Sequence, residues 1–267
     1  MMIEVKSFEG EISQFIQQTS IDFIIFDLET RDSSRLNIWD SEIISFAFCF
    51  TQIEYNENKL IPHFHLMGEI IENLSEEKTL VQNILAIFSS LNKVQISGHN
   101  FQLNLPCKAT WRNPHGYDFK KILDRGLRYQ LSANFLSSLN CYDTMNVAYY
   151  NYDHDVVPRF QKDGRRKKML RTEELELDFG IIRPKEIPKL GVNVREIFDE
   201  RHNRGRFSLI LKYNLIDTIV EAIITLIFKD QMQNYGRISK LLPNNVFSTP
   251  FHINKLPEFE FIQKISN

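Results

Sequence analysis

Three cysteines are spread over 267 residues, at Cys49, Cys107 and Cys141, each beside apolar neighbours. None forms a CxxC pair or a Cys/His cluster, which argues against a structural zinc site and against a disulfide framework. A reducing, cytoplasmic compartment is the expectation. Positive charge is not in excess either: 32 Lys and Arg face 34 Asp and Glu, for a formal net charge of -2. Any nucleic-acid partner must then be held by a local patch, because no global field attracts it. Met1 to Lys6 lack a basic start followed by a long apolar core, so no signal peptide is expected. The most apolar helical stretch, Phe207 to Phe228, is interrupted by Lys212, Asp217 and Glu221, which argues against a membrane span. Internal repeats and low-complexity tracts are missing too. A chain of this length buries a core without covalent staples.

What the sequence does have is concentrated in one stretch, Phe23, Ile24, Ile25, Phe26, Asp27, Leu28, Glu29, Thr30. An apolar run rich in β-branched and aromatic residues leads directly into two carboxylates. The run reads as a buried central strand. Side chains alternate along a strand, so Asp27 and Glu29 share a face. Two acids on one side of an apolar strand repel and lose hydration. A divalent cation resolves both costs, and magnesium or manganese suits such oxygen ligands. Asp40 and Glu42 repeat the Asp-x-Glu pattern, so the apolar run before Asp27 is what singles out the first pair.

Further along, Ile43 to Phe50 and residues 59–66 read as two more strands, close enough for an antiparallel meander. Ser75 opens a helix with an apolar face of Leu80, Ile84, Leu85, Ile87 and Phe88. Val94 to Ser97 is a short strand ended by Gly98, and a helix is expected from Asn100 to about Thr110. Lys121 to Gly126 reads as helix, Leu139 to Asp143 as strand and Thr144 to Tyr149 as a helix start. Residues 153–184 read as a long basic loop or inserted hairpin, 185–200 as short helical pieces, and Phe207 to Lys229 as the longest helix. Residues 233–267 carry no clear pattern. The order predicts an α/β fold: a mixed sheet of three antiparallel strands then parallel strands, flanked by helices. It matches a ribonuclease-H-like core over residues 1–230, followed by a C-terminal extension, 231–267, although the pattern alone leaves several other α/β folds open.

Two more stretches carry chemistry. In Ser97-Gly98-His99-Asn100 the glycine permits a sharp strand-to-helix turn, Asn100 suits a helix N-cap, and Asn104 falls one turn later. His99 alone reads as structural. In the long helix, Tyr213, Asp217 and Glu221 are spaced four apart and form one polar stripe on an otherwise apolar cylinder. A buried Asp217 needs a partner, a cation or an ordinary salt bridge. Tyr-x-x-x-Asp also occurs at Tyr149 to Asp153, so context again decides.

Taken in order, Asp-x-Glu on a strand, Gly-His-Asn at a strand–helix turn and Tyr-x-x-x-Asp on a late helix resemble the DEDDy-type 3′–5′ exonucleases of the ribonuclease-H-like superfamily. The similarity is nearest to the exonuclease domain of family-B DNA polymerases. Cys141-Tyr142-Asp143-Thr144-Met145 resembles the family's step between its second and third motifs. The resemblance covers about residues 21–229 and implies two-metal phosphodiester hydrolysis with Mg2+ or Mn2+. It implies that Asp27 bridges both metals, that Glu29 and Asp217 hold the one carrying the attacking water, and that Tyr213 orients this water. Where the family has its second-motif aspartate, this chain has Asn104, one negative charge fewer. The site is then either weakened, natively or by design, or completed by Asp118 or another carboxylate.

Arg159, Lys162, Arg165, Arg166, Lys167, Lys168 and Arg171 fall within thirteen residues. Such a run neutralises phosphates without reading sequence, or it is a solvated loop. With Asn100, it is the expected nucleic-acid contact, and Phe160, Tyr149, Tyr150 and Tyr152 could stack on bases. The expected function is a stand-alone metal-dependent 3′–5′ exonuclease on DNA, favoured over RNA, acting on single-stranded ends. The alternative is a non-catalytic nucleic-acid-binding module with the same fold. A third reading is an adaptor that binds protein through 233–267. No membrane partner is expected.

Overall fold

The structure, a computed structural model, describes residues 19–31, 40–56, 59–91, 94–101, 117–151, 171–184, 187, 190, 194–200, 203–235 and 251–252. Strand β1 (Phe23–Thr30) is the middle of a five-stranded sheet. On one side lie β2 (Ile43–Asn56) and β3 (Lys59–Ile70), on the other β4 (Gln95–Gly98) and β5 (Cys141–Asp143), in the order β3-β2-β1-β4-β5. The pairs β1/β2 and β2/β3 are antiparallel, and β1/β4 and β4/β5 are parallel. The expected mixed sheet, a meander followed by parallel strands, is therefore present. Its second and third strands run to Asn56 and Ile70, beyond the apolar runs at 43–50 and 59–66, because backbone pairing continues where the side chains turn polar.

The two faces of β1 carry different jobs. Phe26 meets Phe48 of β2 and Phe88 of α1 (Glu77–Ser90), each with ring centroids 4.8 Å apart. Phe88 packs edge-on against Phe119 of α2 (Tyr117–Arg128), and Phe119 against Phe101. Such tilted and edge-to-face pairs add to the burial energy of each ring. Glu77, fully buried at the start of α1, accepts from the Ile43 amide at 2.8 Å and pairs with the buried Arg125 of α2. The opposite face packs under the longest helix of the described residues. Lys229 of that helix lies 4.6 Å from the Phe23 ring centroid.

The chain continues from β5 into α3 (Thr144–Asn151), α4 (Thr172–Phe179), the two-residue β6 (Ile181–Ile182), α5 (Val194–Asp199) and α6 (Arg204–Tyr235). A short strand β7 (Phe251–His252) pairs in parallel with β6. Helix α4 corrects the expectation of a loop or hairpin through 184. Leu175 and Phe179, four apart, are buried, and Gly180 ends the helix at φ 65°, a conformation open to glycine. Helix α6 contains the expected 207–229 helix and extends it at both ends, past 230. It lies so close to the sheet that a Cβ on Gly68 of β3 would sit 2.8 Å from Leu211 and from the Phe46 carbonyl. No helix among the described residues is long and apolar enough to cross a membrane.

Candidate metal centre

The site forms where the chain leaves the C-terminal ends of β1, β4 and β5. The β1/β4 ladder covers Phe23 to Ile25 only, so Asp27 and Glu29 lie beyond its end. They face α6, the side opposite Phe26, as strand alternation requires. A β-bulge follows at once: Glu29 pairs with Ser45 but Thr30 with Ile43, leaving Ile44 as the extra residue. Bulges bend and twist a strand locally. Here the Ile44 carbonyl is taken by the Ile71 amide at 3.0 Å.

From above, α6 lowers Tyr213, Asp217 and Glu221 toward these acids. One carboxylate oxygen from each of Asp27, Glu29 and Asp217 lies within 4.8 Å of the others. The three acids line a pocket of about 270 Å³ with Tyr213, Asp118 and Glu221. Burial, and then the charges of Glu221 and Asp118, push the Asp27 carboxyl well above its ordinary value. Burial and the neighbouring Asp118 do the same to Glu221. Asp217 is also raised by burial, with Arg183 opposing. The Tyr213 phenol is pushed far up by burial and by Asp217, so it stays protonated. A set of carboxylates that resist ionising together, all offering hard oxygen, fits a divalent cation such as Mg2+ or Mn2+.

Asn104 lies outside the described residues, so its place relative to this cluster is not part of the geometry. Asp118, at the start of α2, supplies a further acid to the pocket. It is 7% exposed, and burial together with Asp143 raises its carboxyl well above the ordinary range. Helix α2 is brought back to the site by two backbone bonds, Tyr117 N–H to the Asn100 carbonyl at 2.8 Å and Phe119 N–H to the Phe101 carbonyl at 3.2 Å. The Tyr117 hydroxyl lies 3.0 Å from that of Thr30, at the end of β1.

Scanned against known protein families, the chain matches no family model, and no curated protein matches it. Around the acids, the turn after β4 is held by side chains. Asn100 precedes residues 102–116, outside the described ones, where the helix expected to follow it falls. It adopts φ 67°, a left-handed conformation that asparagine tolerates. Its amide and that of Phe101 donate to the two oxygens of Asp143, at 3.0 and 2.9 Å, and the Met145 amide joins them at 3.0 Å. Asp143 thus stitches the turn after β4 to the start of α3. The His99 amide donates to Glu221 at 3.1 Å. The Thr144 hydroxyl donates to the Gly98 carbonyl at 2.9 Å and can accept from Nδ1 of the His99 ring, also 2.9 Å away. This agrees with a structural part for His99.

The sequence reading missed Arg183 and Glu176. Arg183 follows β6, and its Nε and Nη2 donate to the Glu176 carboxylate of α4 at 2.9 and 2.8 Å. Nη2 also contacts Asp217. The guanidinium lies 5.6 Å from the centre of the Tyr213 ring. Helix α4 was readable from Leu175, Phe179 and Gly180, and an acid on it facing the site would have followed. Arg165, Arg166, Lys167 and Lys168 lie outside the described residues. Arg171, the last of the basic run, is exposed and immediately precedes Thr172, which lines the pocket.

Proposed function

We propose that the chain is a ribonuclease-H-like 3′–5′ exonuclease that hydrolyses phosphodiester bonds at single-stranded DNA ends with Mg2+ or Mn2+. The observation that carries this reading is the meeting of Asp27, Glu29 and Asp217, from one strand and one helix, within 4.8 Å. Asp27, Glu29 and Asp217 would hold the cations, with Asp118 as the fourth acid. When bound, such cations supply Lewis acidity that activates water and offsets charge on the reacting phosphate. Tyr213 acts as a hydrogen-bond donor that orients the attacking water, since its raised pKa keeps the phenol protonated and no phenolate is at hand to serve as base. The acids repel the phosphate backbone by themselves, so substrate binding requires the cations and the basic run ending at Arg171.

The test is incubation of end-labelled single strands with Mg2+ or Mn2+, beside an Asp27→Ala/Asp217→Ala double variant. Stepwise shortening from the 3′ end, lost in the double variant, is the expected result. Binding of strands without shortening by the parent would instead establish the non-catalytic module. Equal cleavage by parent and double variant would exclude this site as its source.

A further inference from the structure

Arg183 sits where a cation would do its work. Its Nη2 contacts Asp217, one of the three carboxylates that converge. The same Nη2 also donates to Glu176 at 2.8 Å, with Nε alongside at 2.9 Å. Arg183 and Glu176 side chains are only 10% and 6% exposed. A fork–fork pair of this kind is the strong geometry for arginine and carboxylate. Losing Asp217 would therefore leave Nη2 with a partner. The remaining terminal nitrogen, Nη1, is buried and makes no hydrogen bond among the described residues. A buried donor without an acceptor is costly, so the present arrangement is not the one that best satisfies the guanidinium.

We propose that Arg183 is the resident counter-ion of Asp217 and yields that carboxylate to a divalent cation, while Glu176 retains the guanidinium. The inference rests on the cation reading of the site. It makes Arg183 a competitor with the metal, and Glu176 the residue that sets how strongly it competes. A guanidinium that merely braced Asp217 for the metal would have the opposite effect on affinity. The exchange costs little because Nη2 keeps one of its two partners throughout. It also explains why a cluster of acids and a buried arginine share one pocket.

The experiment is Mn2+ binding by titration calorimetry to the full chain and to Arg183→Gln, Glu176→Gln and the Arg183→Gln/Glu176→Gln pair, with thermal melts to establish folding. Competition predicts that Arg183→Gln binds Mn2+ at least about tenfold more tightly than the parent. Glu176→Gln should bind severalfold more weakly, and the pair should again exceed the parent. The pair removes Glu176 together with the guanidinium that holds it, so it strands one buried carboxylate fewer than Arg183→Gln and answers the question if that variant alone fails to fold. A second readout is the Arg183 side-chain resonance, which should shift as Mg2+ saturates the parent. Unchanged or weaker Mn2+ binding in both Arg183→Gln and the pair would overturn the inference, as would a guanidinium signal insensitive to Mg2+. If neither parent nor any variant binds Mn2+, the cation reading itself fails, a separate outcome from loss of competition.

Discussion

Asp118 and Asn104 both bear on how many acids face Asp27. The resemblance to the DEDDy exonucleases points to Asn104, which stands where that family has its second-motif aspartate. The folded chain places Asp118 close enough for its charge to raise Asp27, together with Glu221. Asp118→Asn is expected to lower the cleavage rate by about 10²-fold or more, the scale of losing a few kcal/mol of transition-state stabilisation. Asn104→Asp is expected to leave the rate within about threefold, well under the 1.4 kcal/mol that a tenfold change represents. Initial rates on end-labelled strands decide both, and a large gain from Asn104→Asp would return the fourth position to residue 104. At this scale the sequence showed what period could show. Tyr213, Asp217 and Glu221 were visible as one stripe because helical spacing is regular. The pairing of Arg183 with Asp217 was not, since it joins a strand end to a distant helix in no fixed register.

Among the elements, α6 and β1 do the positioning, and their spacing depends on a missing side chain. Gly68 lets α6 approach β3 directly beneath Leu211. Gly68 pairs with Ala47, which in turn pairs with Asp27 across β2. Gly68→Ala is expected to destabilise the protein by about 1–3 kcal/mol, the usual cost of forcing atoms into a packed core. The urea midpoint should fall without a change in slope. A midpoint equal to the parent's would mean that the helix yields freely. Most elements were legible: apolar runs marked β1, β2 and β3, and the apolar character of α6 marked a buried helix. Helix α4 was overlooked because the basic run before it dominated the composition of residues 153–184. The left-handed turn at Asn100 was not legible either, because its cause is Asp143, more than forty residues later.

For the molecule as a whole, the cluster makes stability depend on pH and on metal together. Asp27, Asp118 and Glu221 ionise near 3.8, 3.8 and 4.5 in the unfolded chain but well above those values when folded. Between the two, the native state holds more protons than the unfolded state, so stability falls as pH rises. Below the unfolded values the contribution is complete and flat. Without metal, the melting temperature should therefore decline from about pH 5 toward pH 8. Mg2+ should restore more at pH 8 than at pH 5, and its stabilisation reaches about 2.7 kcal/mol wherever it stands a hundredfold above its Kd. Melts across pH with chelator or Mg2+ check this, and a metal effect independent of pH would disconnect the acids from the cation. Charge also governs the outer surface. Replacing Arg165, Arg166, Lys167 and Lys168 with alanine should weaken single-strand binding and reduce its salt slope by about 0.7 for each phosphate no longer neutralised. An unchanged slope would assign those residues to solvent.

Asp143 gives the same corner a clock. The amides of Asn100, Phe101 and Met145 are protected by one side chain instead of a ladder. They sit on two segments, yet all three are freed if a single carboxylate lets go. In deuterated water they are expected to exchange together, at one common rate, whenever that corner opens short of global unfolding. Rotation of one acid would then be readable as the synchronous labelling of three amides on two segments.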